Sequence, residues 1–475
     1  MKNFFLIAFA CLASHSLLSQ EWVELFQNDT ANFYTIQQSF NNYWSNKTIE
    51  KGKGYKQYKR WEWFTEPRVY PTGVKFEADK ASKEFQLFLD NNPQARNTNG
   101  NWTNLGPVNV PSSGGGAGRI NCIRFAPNNN NIIYAGAPVG GLWKSTNGGN
   151  SWVLLGTDSL QSIGISDIAI HPSNPNLIYV STGDPDGNDC RSIGVLKSSD
   201  GGITFQQTGL TFTLTQARQI SRLLIHPTNA NILLAATNNG VFRSTDAGIN
   251  WTKTLSGNFK DMEFKPGNPN TVYVCANYFR YSNDGGITWQ APTGVSFTGI
   301  NRLSMAVTPA NSNYIYLLAS KSVDNGFHSI LRSTNSGQNF SVMSDANNSP
   351  NILGWSEWGD DNGGQGWYDL AIAVSPTNAD KIFTGGVNVY TSDDGGASLY
   401  LAAHWYGGGG VPYVHADVHD IQFAPGSANV VYVGCDGGVF KSTNTGFNWE
   451  DKSNGLSIGQ LYRLGVSQTN ANRII

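Results

Sequence analysis

The sequence predicts an all-β chain folded as a propeller of about seven four-stranded blades, and three observations predict it. An eight-residue phrase recurs seven times, a second phrase precedes it, and a composition with 53 glycines and 19 prolines favours short strands and tight turns over long helices. The recurring phrase reads S-x-D/N-x-G-x-x-W/F. It begins at Ser145, Ser198, Ser244, Ser282, Ser333, Ser392 and Ser442, and only the sixth copy, S-D-D-G-G-A-S-L, has lost its aromatic. The copies are spaced about 50 residues apart on average, the size of one four-stranded blade.

The opening of the chain differs from the rest. Lys2, the apolar run Phe4 to Leu12 and the small or polar residues up to Ser19 or Gln20 read as a secretory signal over residues 1–20, which predicts a secreted or cell-surface protein. The run is too short to span a bilayer, and no other stretch approaches a transmembrane segment. Residues 21–100 form a helical lead-in: Trp22, Phe26, Phe33, Ile36, Phe40 and Tyr43 recur at helical spacing, as do Phe76, Phe85, Leu87 and Phe88. Between them, from Lys51, cations alternate with aromatics, which reads as a packing clamp rather than a site for an anionic polymer.

From residue 101 to 475 the chain is repeat. The second phrase runs P-N-N-N-N-I-I-Y-A-G from Pro127, P-S-N-P-N-L-I-Y-V-S from Pro172, P-G-N-P-N-T-V-Y-V-C from Pro266 and P-G-S-A-N-V-V-Y-V-G from Pro425. Each unit therefore reads as an inner strand ending at the proline, an Asn-rich turn, a second strand, a third strand such as V-F-K-S, the turn phrase, and an outer strand opened by the aromatic. In the turn, Asn147, Asp200, Asp246, Asp284, Asn335, Asp394 and Asn444 are the residues that cap backbone N–H groups, while glycine permits positive φ. Their role is structural. N-W-T-N-L-G at Asn101 reads as an outer strand and L-Y-R-L-G-V at Leu461 as the opening of a further blade, so the chain is expected to be truncated at its C-terminus, with the last blade incomplete.

Charge excludes whole classes of partner. Lys+Arg at 32 against Asp+Glu at 34 leaves a net charge of -2, so no global field draws the chain to nucleic acid or to an anionic membrane. Cys122, Cys190, Cys275 and Cys435 stand singly without a C-x-x-C pair, against a thiolate zinc site; export makes disulfides possible, with three pairings for four cysteines, and the other reading is buried free thiols.

The segments linking one blade to the next are where the repeats diverge. The linker from Trp355, W-S-E-W-G-D-D-N-G-G-Q-G-W-Y-D, and that from His404, H-W-Y-G-G-G-G-V-P-Y-V-H-A-D-V-H-D, precede the sixth and seventh inner strands and are expected to meet on one rim. There Trp355, Trp358, Trp367, Tyr368, Trp405, Tyr406 and Tyr413 would pool with Asp360, Asp361, Asp369 and Asp417. Aromatic faces with carboxylates suit sugar rings, and equally a protein partner. Asp369 and Asp417 are the pair to test as acid and base for glycoside cleavage.

His415, Asp417 and His419 alternate, so on an extended strand they share one side, as ligands of a divalent metal or as a hydrogen-bonded network. Asp184, Asp186, Asn188 and Asp189, in G-D-P-D-G-N-D, have spacings reminiscent of a calcium loop without its closing glutamate. Arg119, Arg222, Arg302 and Arg463 fall near the start of inner strands and are expected at the channel mouth. There they meet either an anionic ligand or Asp167, Asp261 and Asp369.

The spaced boxes and the I-Y phrase resemble the Asp-box (BNR) repeat superfamily, which includes sortilin-type domains, sialidases and xyloglucan-cleaving two-propeller hydrolases. The stretches G-Y-K-Q-Y-K-R-W-E-W-F-T-E-P-R, Y-V-H-A-D-V-H-D and G-Q-G-W-Y-D are similar to large exported bacterial proteins of that superfamily, whose type IX secretion sorting domain is not found in this chain. The resemblance implies a propeller and a glycosyl-hydrolase-like label. It does not carry over the catalytic base: where the xyloglucan-cleaving family has Y-A-R-T-D-I-G-G, this chain has Y-A-G-A-P-V-G-G, with Pro138 in the place of the aspartate. Two readings follow: an exported module that binds a carbohydrate or protein on the rim of blades six and seven, and a glycoside hydrolase using carboxylates in the same groove.

Overall fold

The computed structural model describes residues 21–28, 30–49, 54–93, 106–108, 115–461, 465 and 467–470. The expected signal segment, residues 101–105 of the outer-strand match, Arg463 and more than half of the stretch expected to open a further blade lie outside them. The chain divides into a helical unit, residues 1–99, and a β unit, residues 100–475. No helix among the described residues is long and apolar enough to cross a membrane.

The helical unit comprises α1 (Glu21–Gln27), α2 (Phe33–Trp44), α3 (Tyr55–Val69) and α4 (Lys80–Asn91). Its core is aromatic: Trp22 meets Phe40 edge-on at 5.0 Å, and Phe40 stacks on Tyr58 at 3.7 Å. The alternating cation–aromatic stretch thus becomes α3, which buries Tyr58 and leaves Trp63 and Phe64 exposed. Phe85, Leu87 and Phe88 lie on α4, a helix with no buried residue.

The β unit is a seven-bladed propeller. Its inner strands are Cys122–Ala126, Ile165–Ile170, Ile220–Ile225, Asp261–Phe264, Ile300–Val307, Ala371–Val374 and Val418–Phe423, and every blade pairs its strands antiparallel in chain order. Six blades carry four paired strands. In the fourth, the outer position is held by one bridge, Tyr281 to Gln290, and Pro292 then removes a donor from the ladder. The seventh blade has its four strands, ending at Glu450–Asp451.

The ring closes because the last blade packs beside the first. Asp420 accepts from Ile123 N at 2.7 Å, and the segment entering blade one donates from Ala117 N to Gly437 O and from Ile120 N to Cys435 O. The second-strand tyrosines explain the I-Y phrase. Tyr179 donates to Ala247 O, Tyr316 to Ala379 O and Tyr432 to Gly148 O, so a fully buried side chain ties its blade to a turn of the next.

The box turns satisfy themselves locally. In the second, Ser198 Oγ donates to Asp200 Oδ1 at 2.7 Å and accepts from Gly202 N at 2.8 Å, while Asp200 accepts from Ile203 N and Thr204 N. The same serine–carboxylate or serine–amide bond occurs in all seven. The position before the invariant glycine is left-handed too, and non-glycine residues occupy it at Ala247 (φ 58°), Ser336 (φ 60°) and Thr445 (φ 61°). The four cysteines of the β unit are free thiols, three of them buried.

Candidate functional site

The two divergent linkers meet as their position between neighbouring blades requires. Gln365 Nε2 donates to Asp417 Oδ1 at 2.9 Å, joining the linker before blade six to the one before blade seven. Farther out, His404 is fully buried, with Nε2 3.2 Å from Trp355 O and Nδ1 accepting from Gly408 N; Trp405 Nε1 donates to the same Trp355 carbonyl. This pins the glycine run 407–410 and sets out Trp355, Trp405 and Tyr406 at 43%, 39% and 59% exposure. Trp358 and Trp367 are exposed as well. Tyr413 is not on the rim: it packs edge-on against Phe440 in the core of blade seven. Asp361 is not a free loop charge either, since it accepts from Trp355 N and Ser356 N and shapes its own turn.

Tyr368 leaves the rim for the axis and anchors a network across the channel mouth. Arg119 Nη1 donates to the Tyr368 hydroxyl at 3.0 Å, and that hydroxyl donates to both oxygens of Asp436 at 3.0 Å. His419, its ring enclosed, has Nε2 3.0 Å from Asp436 and Nδ1 3.2 Å from Asp186. Arg302 pairs with Asp186 at 2.9 Å and donates to the carbonyls of Trp367 and Tyr368. Burial works against a charge on His419, yet the hydrogen bonds and charges of Asp186 and Asp436 outweigh it and raise the imidazole to about 9. Blades one, two, five, six and seven are thereby tied across one opening.

Several expectations need correction here. His415 and Asp417 precede the inner strand, which starts at Val418; Asp417 is left-handed at φ 65° and His419 sits where the register shifts, so the three do not alternate on one strand. His419 spends both nitrogens on carboxylates, His415 Nδ1 lies 3.2 Å from Ala416 O, and among the described residues no trio of His, Cys, Asp or Glu is disposed to hold a metal. The G-D-P-D-G-N-D loop is not a calcium cradle: Asp184 and Asp189 turn to Arg119 at 2.5 and 3.2 Å, and Asp186 to Arg302 and His419. Arg119 and Arg302 thus meet carboxylates from that loop, and Arg222 meets Asp167, Asp261 and Glu263.

The carboxylates expected to act as a pair are in unlike settings. Asp369 is fully buried with neither oxygen hydrogen-bonded; burial, then the charge of Asp417, pushes its carboxyl well above the usual range. Asp417 is half-buried, and burial with the charge of Asp436, against His419, His415 and Gln365, raises it to about 6. Asp436, which completes the mouth, was not singled out by sequence, and Asp189 was singled out only as part of the calcium-like loop. Asp436 stands in the Asp-Gly-Gly turn after the second strand of blade seven, which reads as an ordinary hairpin.

Beneath the network, a cavity of about 310 Å³ follows the inner strands from Asn121 and His419 to Pro309 and Pro376. Its wall alternates charge: Arg124 bridges Asp167 at 2.5 Å and Asp420 at 2.7 Å. With carboxylates outnumbering guanidiniums, burial raises Asp167 to about 7 and Asp261 to about 6.

No family model matches the chain. It is similar to a xyloglucanase of Acetivibrio thermocellus, 32% identical over 222 aligned residues that cover 38% of this chain and 26% of that relative. It is also similar to a xyloglucanase of Hypocrea jecorina, 30% identical over 156 residues, 30% of this chain and 18% of the relative. The chain therefore spans about a quarter or less of the length of these relatives. Among solved structures, the GH74 xyloglucanase of Xanthomonas campestris superposes with a TM-score of 0.55 at 18% identity, over 73% of this chain and 55% of that one. The GH74 enzyme of Niastella koreensis gives 0.54 at 20% identity, over 74% and 56%. These likenesses place the β unit among propellers of the kind found in GH74 xyloglucanases.

Proposed function

We propose that the chain is an exported propeller that binds a polysaccharide on the rim formed by the linkers before blades six and seven. The observation that carries this reading is the set of exposed aromatics, Trp355, Trp405 and Tyr406, held rigid around buried His404, with Trp358 and Trp367 exposed on the same linker pair. Rigid aromatic faces stack on the C–H faces of sugars at low entropic cost, and neighbouring carboxylates accept hydroxyls. The similarity to xyloglucanases makes xyloglucan the first probe. Retention on immobilised xyloglucan by the wild type, reduced in Trp405→Ala and in Trp367→Ala, is expected; no retention by the wild type contradicts sugar binding and leaves a protein partner as the occupant of the rim.

A second reading, glycoside hydrolysis, is favoured by Asp369 and Asp417. A carboxyl with no hydrogen-bond partner and a raised pKa is the form a general acid takes, and Asp417 supplies a carboxylate beside it. Pro138 in the place of the family's base means that another carboxylate would have to serve. Reducing-end products that vanish in Asp369→Asn while retention persists would establish turnover; retention without products establishes a binding module. Sequencing the N-terminus of the mature protein tests export, which predicts a start near residue 20.

A further inference from the structure

The cavity beneath the mouth network has its origin in the inner strands. At the position that pairs with the aromatic of the second strand, blades one and four place Arg124 and Glu263, whereas blades five and six place Ala306 and Ala373. Two residues earlier on these strands, blade four has Asp261 where blades five and six have Ser304 and Ala371. Small side chains on two neighbouring blades thus open a space that the other blades fill. At about 310 Å³ it falls within the range of about 300–1,000 Å³ for ligand pockets, and it runs out to exposed Pro309 on the face opposite the mouth.

The two ends of this cavity differ in charge. At the mouth end, Arg302 Nη1 serves Asp186 and two carbonyls, but Arg302 Nε is buried without a partner among the described residues. Lys260 beside it donates to Pro185 O, one acceptor for three N–H groups. Burial and the charge of Arg302 hold the Lys260 ammonium below its usual value, against Asp186 and Asp184. Farther in, Arg124 and Arg222 are shared among four carboxylates, Asp167, Asp420, Asp261 and Glu263. Burial and the charges of Asp261 and Asp420 prevail over Arg124 and push the Glu263 carboxyl well above the usual range. One end therefore has donors to spare and the other has acceptors. Lys260 and Glu263 stand three residues apart in the chain, about 10 Å at about 3.3 Å per strand residue. Between the ends, Ala306, Ala373 and Val374 line an apolar wall. The complementary ligand carries a carboxylate for Lys260 and Arg302 Nε, an ammonium for Asp261 and Glu263, and an aliphatic stem between them.

We propose that the channel cavity binds a small linear zwitterion of the ω-amino acid class, entering from the face opposite the mouth, at a site separate from the rim. The inference does not depend on the carbohydrate reading of the rim. Its test is calorimetry on the full chain with 5-aminopentanoate, beside pentanoate and pentylammonium, each of which keeps one charged end. The zwitterion is expected to bind at least about tenfold more tightly than either, the difference made by one hydrogen bond to a charged group. Ala373→Leu fills the space between the ends, and Lys260→Met removes donors at the mouth end. Each is expected to weaken binding of 5-aminopentanoate at least about tenfold, with a cooperative thermal transition showing that the variant is folded. No binding of 5-aminopentanoate by the wild type, equal affinity for all three probes, or undiminished affinity in either folded variant overturns the site.

Discussion

The outer box turns and the axial mouth use the same residue types, Ser, Asp, Asn, Gly and an aromatic, to different ends. In a box the side-chain bonds of the serine and of the Asp or Asn close within about four residues, as between Ser198, Asp200, Gly202 and Thr204, and the pattern recurs around the ring. In the mouth the bonds span the chain: Arg119 reaches Tyr368, 249 residues on, and His419 reaches Asp186, 233 residues back. The boxes are repeated and exchangeable, whereas the mouth exists once. A repeat protein builds its fold from what recurs and leaves its chemistry to the departures.

That contrast is sharpest where a buried charge would lose its partner. Asp186→Ala strips both Arg302 and His419 of a carboxylate in an enclosed site and is expected to cost about 3–5 kcal/mol in denaturant unfolding. A cost no larger than that of a box substitution would show that the mouth is solvent-relaxed. Removing a box hydroxyl, as in Ser198→Ala, leaves Gly202 N without its acceptor and takes one of three donors from Asp200 Oδ1, for a loss of about 1–2 kcal/mol. The loss should be similar in Ser244→Ala and Ser282→Ala, and a wide spread among the three would break the claim that boxes are interchangeable.

The mouth should respond to alkali through His419. His419 is raised from its ordinary 6.5 to about 9 in the folded chain, so its contribution is fully present below pH 6.5 and declines as pH rises, vanishing above about 9. Thermal unfolding is expected to fall between pH 7 and pH 10 in the wild type, and to lose much of that slope in His419→Gln; equal slopes would place the titration elsewhere. The smallest effect belongs to the box backbone. Ala247→Gly relieves a left-handed alanine and is expected to raise stability by about 0.5–1 kcal/mol, measured by the same denaturant titration.

The fold was legible because periodicity needs no knowledge of contacts. A phrase recurring about every 50 residues predicts a blade, and the number of copies predicts the blade count. The rim was legible too, because Trp355 to Asp369 and His404 to Asp420 break the repeat in length and composition. The mouth was legible only in part. Arg119, Tyr368, Asp417 and His419 stand out in their segments, but Asp436 sits in a turn that looks like any other Gly-rich hairpin, Asp186 stands out only as part of a calcium-like loop, and pairing across hundreds of residues leaves no local trace. The backbone hid the rest: the His-x-Asp-x-His alternation predicts one shared side, and a left-handed Asp417 followed by a register shift at His419 breaks it. Aligning the turns that follow the second strands would have exposed Asp436, since Cys435-Asp436-Gly437-Gly438 carries a charge that Thr237-Asn238-Asn239-Gly240 lacks.

The most direct test of the division between scaffold and site is retention on immobilised xyloglucan by three proteins side by side: wild type, Trp405→Ala on the rim and Asp284→Ala in a box. The account predicts that the wild type and the box variant are retained alike while the rim variant elutes. Equal retention of all three, or equal loss in both variants, would contradict it.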